Sequence, residues 1–194
     1  MIKHRGENIM ITLPSSYNDA VPFTGEFETL PVGGYVCKIM KAEQDRTKNG
    51  DPVLILSLDI AEGEYTDFYR RQYASRKDEN KRWGCTYRQL ITDKSVNFLK
   101  GLITCIEKSN DMHWNGEEAA LKGKLVGMLF GREQYRNAHR DLRWSVKPVQ
   151  PRTIDVIRSG EFELPKDKPM FGENAVPGMD VYQALSINDQ DLPF

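Results

Sequence analysis

The sequence predicts a mainly β protein with one central helix, and three patterns support this prediction. Apolar and polar residues alternate on both sides of an Asn49-Gly50 turn, which is typical of a long β-hairpin. Apolar residues between Val96 and Ile106 recur instead at helical spacing. Two further alternating stretches, before residue 150, flank a polar turn. Together these patterns indicate paired strands on both sides of a single helix.

The predicted elements follow one another closely between residues 33 and 150. The first hairpin precedes a third strand, then a stretch that is either strand or loop, then an amphipathic helix capped by Asp93 or Ser95, then a second hairpin. In order, these elements cover residues 35–60 with a turn at 45–51, residues 68–73, residues 83–90, residues 93–106, and residues 125–148 with a turn at 136–141.

This order predicts an OB-fold, a five-stranded Greek-key barrel in which one helix fills the gap between the third and fourth strands. Other small barrels and α+β sheets share the order and stay open as alternatives. Residues 33–150 are therefore predicted to be an OB-fold domain. Residues 1–32, which contain three prolines, predict an extended N-terminal arm, and residues 151–194 predict a linker and a flexible acidic tail that ends in Asp-Leu-Pro-Phe.

Charge is segregated along the chain although its formal net charge is only −1. Residues 68–100 hold nine Lys or Arg against three acids, and residues 120–152 hold eight against two. The rest of the chain is acidic. This balance excludes a uniformly basic coat protein and a chain that is acidic and disordered throughout, and it places two basic blocks between acidic ends.

The sequence lacks the common motifs of catalysis and membrane insertion. It contains no P-loop, dinucleotide-binding, zincin or hydrolase-elbow motif, and its three cysteines are predicted to be buried thiols. We therefore expect neither a cofactor nor an enzymatic activity, although carboxylates brought together by folding leave a metal-dependent nuclease as an alternative. The charged N-terminus and the lack of a long apolar stretch predict a cytoplasmic protein.

Both basic blocks interleave cations with aromatic residues. A protein that binds single-stranded nucleic acid needs rings that stack on bases and cations that follow the phosphates, so this combination predicts such an interface. The residues predicted to form it are Tyr69, Arg70, Arg71, Lys81, Arg82, Trp83, Tyr87, Arg88, Arg132, Tyr135, Arg136 and Arg143.

Not every ring in these blocks can be exposed. On an alternating strand half of the aromatic residues point inward, so three or four of them are expected in the core. Trp144, which alternates with Leu142 and Val146, is predicted to be a core residue.

Two groups of residues resemble those of known families. The C-terminal tip consists of Asp189, Asp191, Leu192, Pro193 and Phe194. It resembles the tip of bacterial single-stranded-DNA-binding proteins, in which acids precede a terminal Ile/Leu-Pro-Phe. The body of the chain carries Leu30-Pro-x-Gly-Gly-Tyr35, the turn from Thr47 to Asp51, Gly123-Lys-Leu-Val-Gly127 and Arg132-Glu133. In these residues it resembles the phage-encoded single-stranded-DNA-binding family.

The resemblance implies an OB-fold protein that coats single strands during DNA replication or recombination in a host cytoplasm. It also implies that the tip docks replication or recombination proteins. A homodimer or higher oligomer is expected because one barrel covers few nucleotides. A metal-dependent nuclease or resolvase, and an adaptor that binds only proteins, are the alternatives.

Overall fold

A computed structural model describes residues 11–18, 28–77 and 79–170 of the chain. These residues form a five-stranded antiparallel sheet with three helices. The strands are β1 Gly33–Arg46, β2 Pro52–Ile60, β3 Thr86–Leu90, β4 Leu125–Arg136 and β5 Leu142–Arg152, and the helices are α1 Phe68–Ser75, α2 Val96–Asn110 and α3 Ile154–Ser159. Short 3-10 helices cover Asp93–Ser95 and Glu118–Leu121.

The two predicted hairpins and the central helix are confirmed. The register of β1 with β2 runs from Cys37 opposite Ile60 to Arg46 opposite Pro52. At the hairpin tip the Thr47 amide donates to the Asp51 carbonyl at 2.8 Å, and Gly50 has a φ of 90°, which other residues rarely adopt. The second hairpin joins β4 to β5. Local alternation was sufficient to predict both.

One face of the sheet carries the core. Leu54, Leu56 and Leu58 alternate along β2 toward this face, and α2 packs Leu102 and Ile106 against them. Each of these side chains is almost completely buried, which stabilises the fold by about 1.5–3 kcal/mol per residue. The amphipathic pattern of α2 therefore matches its position.

The prediction of a strand over residues 68–73 is wrong, because this segment is helix α1. Phe68 and Tyr69, in its first turn, are both buried. The buried carboxylate of Asp59 accepts from the Tyr69 amide at 2.9 Å and from the Arg70 amide at 3.2 Å. The Asp59 carboxylate therefore supplies acceptors for two amides of the first helical turn, which lie 10 and 11 residues further along the chain. Burial raises the pKa of Asp59 although these amides oppose the effect.

Residues 151–170 differ from the predicted linker because they pack on the sheet. Ile154 at the start of α3 is buried, and the Val156 amide donates to the Thr153 hydroxyl. Gly127 makes room for this helix, since a Cβ added there would lie 2.6 Å from both Ile157 Cγ1 and the Thr153 carbonyl oxygen. The groove that receives α3 is formed by residues far away in sequence, so local periodicity did not reveal it.

The sheet is open. Its strand order is β3-β2-β1-β4-β5, and within the described residues no ladder joins the two edge strands, β3 and β5. The structure is therefore a mainly β protein with a five-stranded antiparallel sheet, and a closed barrel stays a prediction. In the described part of the chain, no helix has the length and apolar character needed to cross a membrane.

Most of the described N-terminal arm contributes little to the core. Residues 11–18 form one turn, in which the Tyr17 amide donates to the Pro14 carbonyl at 2.9 Å, whereas Leu30 is buried.

Cys37 and Cys85 are buried free thiols, as predicted, but Cys105 is only half-buried. Burial raises the pKa of the Cys85 thiol to about 12.

Gly127→Ala should lower the free energy of unfolding by about 1–3 kcal/mol, because the added Cβ meets backbone oxygens that cannot move aside. Urea denaturation measures the effect. Gly101→Ala is the matched control, since its Cβ meets nothing within 4 Å in helix α2. This control should be as stable as the native chain or more stable by about 0.5–1 kcal/mol. Equal stability of the two variants would contradict the seating of α3 on β4.

Candidate nucleic-acid interface

The β4–β5 hairpin extends the core face of the sheet into solvent. Phe130 is a core residue, and alternation along β4 places Arg132, Gln134 and Arg136 on the same side. Their partners on β5 are Val146, Trp144 and Leu142, respectively. We define these six residues as the inner face of the hairpin. Val146 still packs against the core, whereas the side chains nearer the tip do not.

Trp144 is exposed, so its prediction as a core residue is wrong. Trp144 is 45% and Leu142 44% exposed. The alternation correctly indicated which face Trp144 shares with Val146, but β1 begins opposite Phe130, at Gly33. Beyond that point no neighbouring strand of the main sheet continues the core. The Arg132 guanidinium lies 5.7 Å from the centroid of the Trp144 ring and makes a cation–π contact.

The predicted residues of the second basic block lie on two faces of this hairpin. Arg132 and Arg136 lie on the inner face, whereas Tyr135 and Arg143 are cross-strand partners on the outer face. Tyr135 is 41% exposed, and Arg143 lies 3.8 Å from the Asp141 carboxylate. The structure therefore does not bring these four residues to one surface.

Acidic side chains pair with several of the hairpin cations. Glu133 on the outer face contacts Lys147 at 3.0 Å and Lys168 at 3.2 Å. Its partial burial raises its pKa, but the two ammonium groups outweigh that effect, and the net pKa is lowered. On the inner face, Asp167 forms an ion pair with Arg132 and raises its pKa.

In the first basic block, Tyr69 is not available for stacking. It is only 6% exposed, and its ring packs edge-on against Phe68 with the centroids 5.0 Å apart. Its prediction as a DNA-stacking residue is therefore corrected: Tyr69 is a core residue because helix α1 turns it inward. The neighbouring cations are exposed but paired, Arg70 with Asp67 at 3.4 Å and Arg71 with Glu28 at 3.6 Å.

A second aromatic group lies beside the C-terminal end of α1. The Trp83 indole N–H donates to the Leu58 carbonyl at 2.7 Å, and the ring is half-buried. Tyr73 packs beside it with the centroids 5.7 Å apart, and the Lys81 ammonium lies 4.5 Å from the Tyr73 centroid. Arg82 is exposed next to this group. Tyr73 was not among the predicted interface residues, because the spacing of residues does not show that a helix and a loop meet here.

Tyr87 and Arg88 lie on opposite faces of β3. Tyr87 pairs with Leu56, packs against the core and has a pKa raised by burial. Arg88 is exposed and pairs with Ile55, whose other cross-strand neighbour is Glu43. Arg88 is therefore separated from the aromatic side of its strand.

A cleft of about 540 Å³ lies between the β1–β2 hairpin and α2. Its lining combines apolar side chains such as Leu99 and Trp114 with the carboxylates of Glu117 and Glu118. An acidic rim disfavours the approach of a phosphate backbone. Among the described residues, no three His, Cys, Asp or Glu side chains are grouped so that they could hold a metal ion.

Comparison of the chain with protein-family models and with curated proteins finds no match. The predicted docking residues Asp189, Asp191, Leu192, Pro193 and Phe194 lie outside the described residues. Within the described residues, the exposed rings and cations of the candidate interface lie on the β4–β5 hairpin and in the group around Trp83.

Trp83 and Trp144, one in each basic block, should differ in their contribution to stability. Trp83→Ala removes a packed ring and leaves the Leu58 carbonyl without its indole donor, so it should lower the free energy of unfolding by about 2–4 kcal/mol. Trp144→Ala removes a half-exposed ring beyond the core and should cost less than about 1 kcal/mol. Urea denaturation of both variants measures this difference, and equal losses would contradict the assignment of Trp144 to an exposed face.

Proposed function

We propose that the protein binds single-stranded DNA through the β4–β5 hairpin, with little preference for sequence and without catalysis. The observation that carries the proposal is the exposed Trp144 ring beside the Arg132 guanidinium on the inner face. A base stacks on the ring, and the guanidinium contacts a neighbouring phosphate. Stacking of this kind is worth about 1–3 kcal/mol per base.

The topology supports this proposal. In an OB-barrel the five strands follow the order found in this sheet, and closure occurs between the strands that correspond to β3 and β5. Here Cα atoms of β3 and β5 come within 8 Å of each other, and helix α2 contacts both strands. We propose that the chain is a partly open OB-fold. The loops between the first two and the last two strands are the ones that OB-folds use to bind oligonucleotides.

The proposed contacts favour a single strand over a duplex. A duplex shields its base faces by stacking, whereas a single strand exposes them to an aromatic side chain. Readout of a duplex major groove by a helix would need base-contacting side chains on an exposed helix face, whereas the ring and the cations proposed here lie on strands β4 and β5.

The proposed contact set differs from the one predicted from sequence. Trp144 is added because it is exposed, and Tyr69 is removed because it is buried. Tyr135 and Arg143 are left out of the primary contact because they lie on the outer face of the hairpin.

Tyr73, Trp83 and Lys81 form a second proposed contact, but its two rings are half-buried, whereas Trp144 is 45% exposed. The hairpin is therefore proposed as the primary contact.

Roles in phage DNA replication or recombination, oligomer formation and partner docking by the C-terminal tip are proposed from the resemblance alone. A chain that lacks its last eight residues should retain its affinity for DNA and lose the capture of replication proteins. No feature of the described residues favours the nuclease alternative over DNA binding.

Fluorescence anisotropy with a labelled oligo-dT and with a duplex of equal length tests the proposed function. The native chain should bind the single strand more tightly, and Trp144→Ala should weaken this binding roughly 5- to 150-fold, as expected for the loss of one stacked base. Phe98→Ala is the matched control, because Phe98 is 70% exposed but lies on α2, outside the hairpin. Its affinity should be unchanged.

Two results would overturn the proposal. One is equal affinity for the two DNA forms, and the other is failure of the native chain to bind oligo-dT at moderate salt. Incubation of DNA with the protein and Mg²⁺ or Mn²⁺ tests the alternative, since cleavage would show that the protein is a nuclease.

A further inference from the structure

The chain returns to the β4–β5 hairpin after helix α3. The Lys168 amide donates to the Arg132 carbonyl at 2.8 Å, and the Gln134 amide donates to the Lys168 carbonyl at 2.9 Å. The Met170 amide adds a bond to the Gln134 side chain at 3.2 Å. Residues 165–170, which we name the strap, thus contact the edge of β4 that β1 leaves open, where Lys168 forms an isolated parallel bridge with Glu133.

The strap brings a carboxylate to the cation at the centre of the proposed interface. Arg132 Nε donates to Asp167 Oδ1 at 3.0 Å, and Arg132 Nη2 donates to Asp167 Oδ2. The pair is therefore bidentate. The same guanidinium lies over the Trp144 ring, so one side chain contacts both the exposed ring and the strap carboxylate.

A carboxylate and a phosphate compete for the same edge of a guanidinium. Both anions present two oxygens that match two parallel N–H donors of Arg. While Asp167 occupies this edge, the charge of Arg132 is neutralised where a DNA phosphate would approach. The side chains of Arg132 and Asp167 are 51% and 39% exposed, so water and salt reach the ion pair and a phosphate can exchange for the carboxylate.

The strap backbone keeps the carboxylate in place. Two backbone hydrogen bonds join it to β4, and neither involves the Asp167 side chain. Pro165 also lies close to Gly131, where an added Cβ would be 3.1 Å from the proline Cβ. Replacement of the Asp167 carboxylate should therefore leave the strap bound while it releases the guanidinium.

We propose that Asp167 lowers the affinity of the hairpin for single-stranded DNA by occupying the phosphate-binding edge of Arg132. This inference rests on the proposed function. A bound strand displaces the carboxylate from Arg132, so the ion pair sets how tightly and at what salt concentration the strand is held. Asp167 is therefore a regulatory residue of the interface.

The test compares Asp167→Asn with the native chain by anisotropy of labelled oligo-dT between 50 and 200 mM salt. The variant should bind roughly two- to tenfold more tightly at the lowest salt, because Arg132 no longer has to release a carboxylate before it contacts a phosphate. Its plot of log K against log salt should have nearly the native slope, because both proteins make the same phosphate contacts once the strand is bound. Asp155→Asn is the control, because it changes net charge equally on α3 without contacting Arg132. It should bind less than about twofold more tightly, with an unchanged slope.

A double-mutant cycle shows whether Asp167 acts through Arg132. In an Arg132→Gln background, Asp167→Asn should give no gain in affinity. Equal or weaker binding by Asp167→Asn alone would overturn the inference, and weaker binding would show instead that Asp167 positions Arg132 over the ring. In both cases binding by the native chain leaves the proposed function intact. Lack of binding by the native chain and all variants would overturn the proposed function, and the inference with it.

Discussion

Strand β1 divides its length between two partners, and the rest of the architecture depends on this division. Residues 33–38 pair with β4, and residues 37–46 pair with β2. Each hairpin therefore has a part that lies beyond the residues through which β1 and β4 pair. For β4 this part covers residues 131–136, a length of about 20 Å at 3.3 Å per residue.

The division has two consequences for the hairpin that carries the candidate site. The face that is core up to Phe130 continues as exposed rings and cations, because β1 has ended. The β4 edge that β1 leaves free offers unpaired backbone groups, and the strap binds to them through Lys168. The same geometry thus creates the exposed face with Trp144 and brings an acid next to its central arginine.

Local patterns in the sequence predicted those elements whose structure is determined by near neighbours. Alternation identified both hairpins, and helical spacing identified α2. The prediction of a strand over residues 68–73 was wrong, because Asp59 on β2 supplies acceptors for amides in the first turn of α1 and this contact has no signature in local spacing. Helix α3 was missed because Gly127, which makes space for it, lies more than 25 residues earlier.

The candidate site was predicted in part for the same reason. Most basic residues and the rings of the second block lie on the β4–β5 hairpin, whose strands the sequence pattern predicted. The pattern could not indicate that Trp144 is exposed, because this exposure depends on where β1 ends. It also could not indicate that Tyr69 is buried, because this burial depends on helix α1. The pairing of Arg132 with Asp167 joins residues 35 positions apart and has no signature in spacing.

Photo-cross-linking with 5-bromouracil-substituted oligonucleotides tests most directly whether the inner face of the hairpin contacts DNA bases, as we propose. After irradiation and proteolysis, mass spectrometry identifies the cross-linked peptide. We expect a principal cross-link at Trp144. The variant Trp144→Phe should lose this cross-link and keep any cross-links in other peptides. Cross-links confined to Trp114 in the acidic cleft, or to Tyr135 on the outer face, would contradict contact through the inner face.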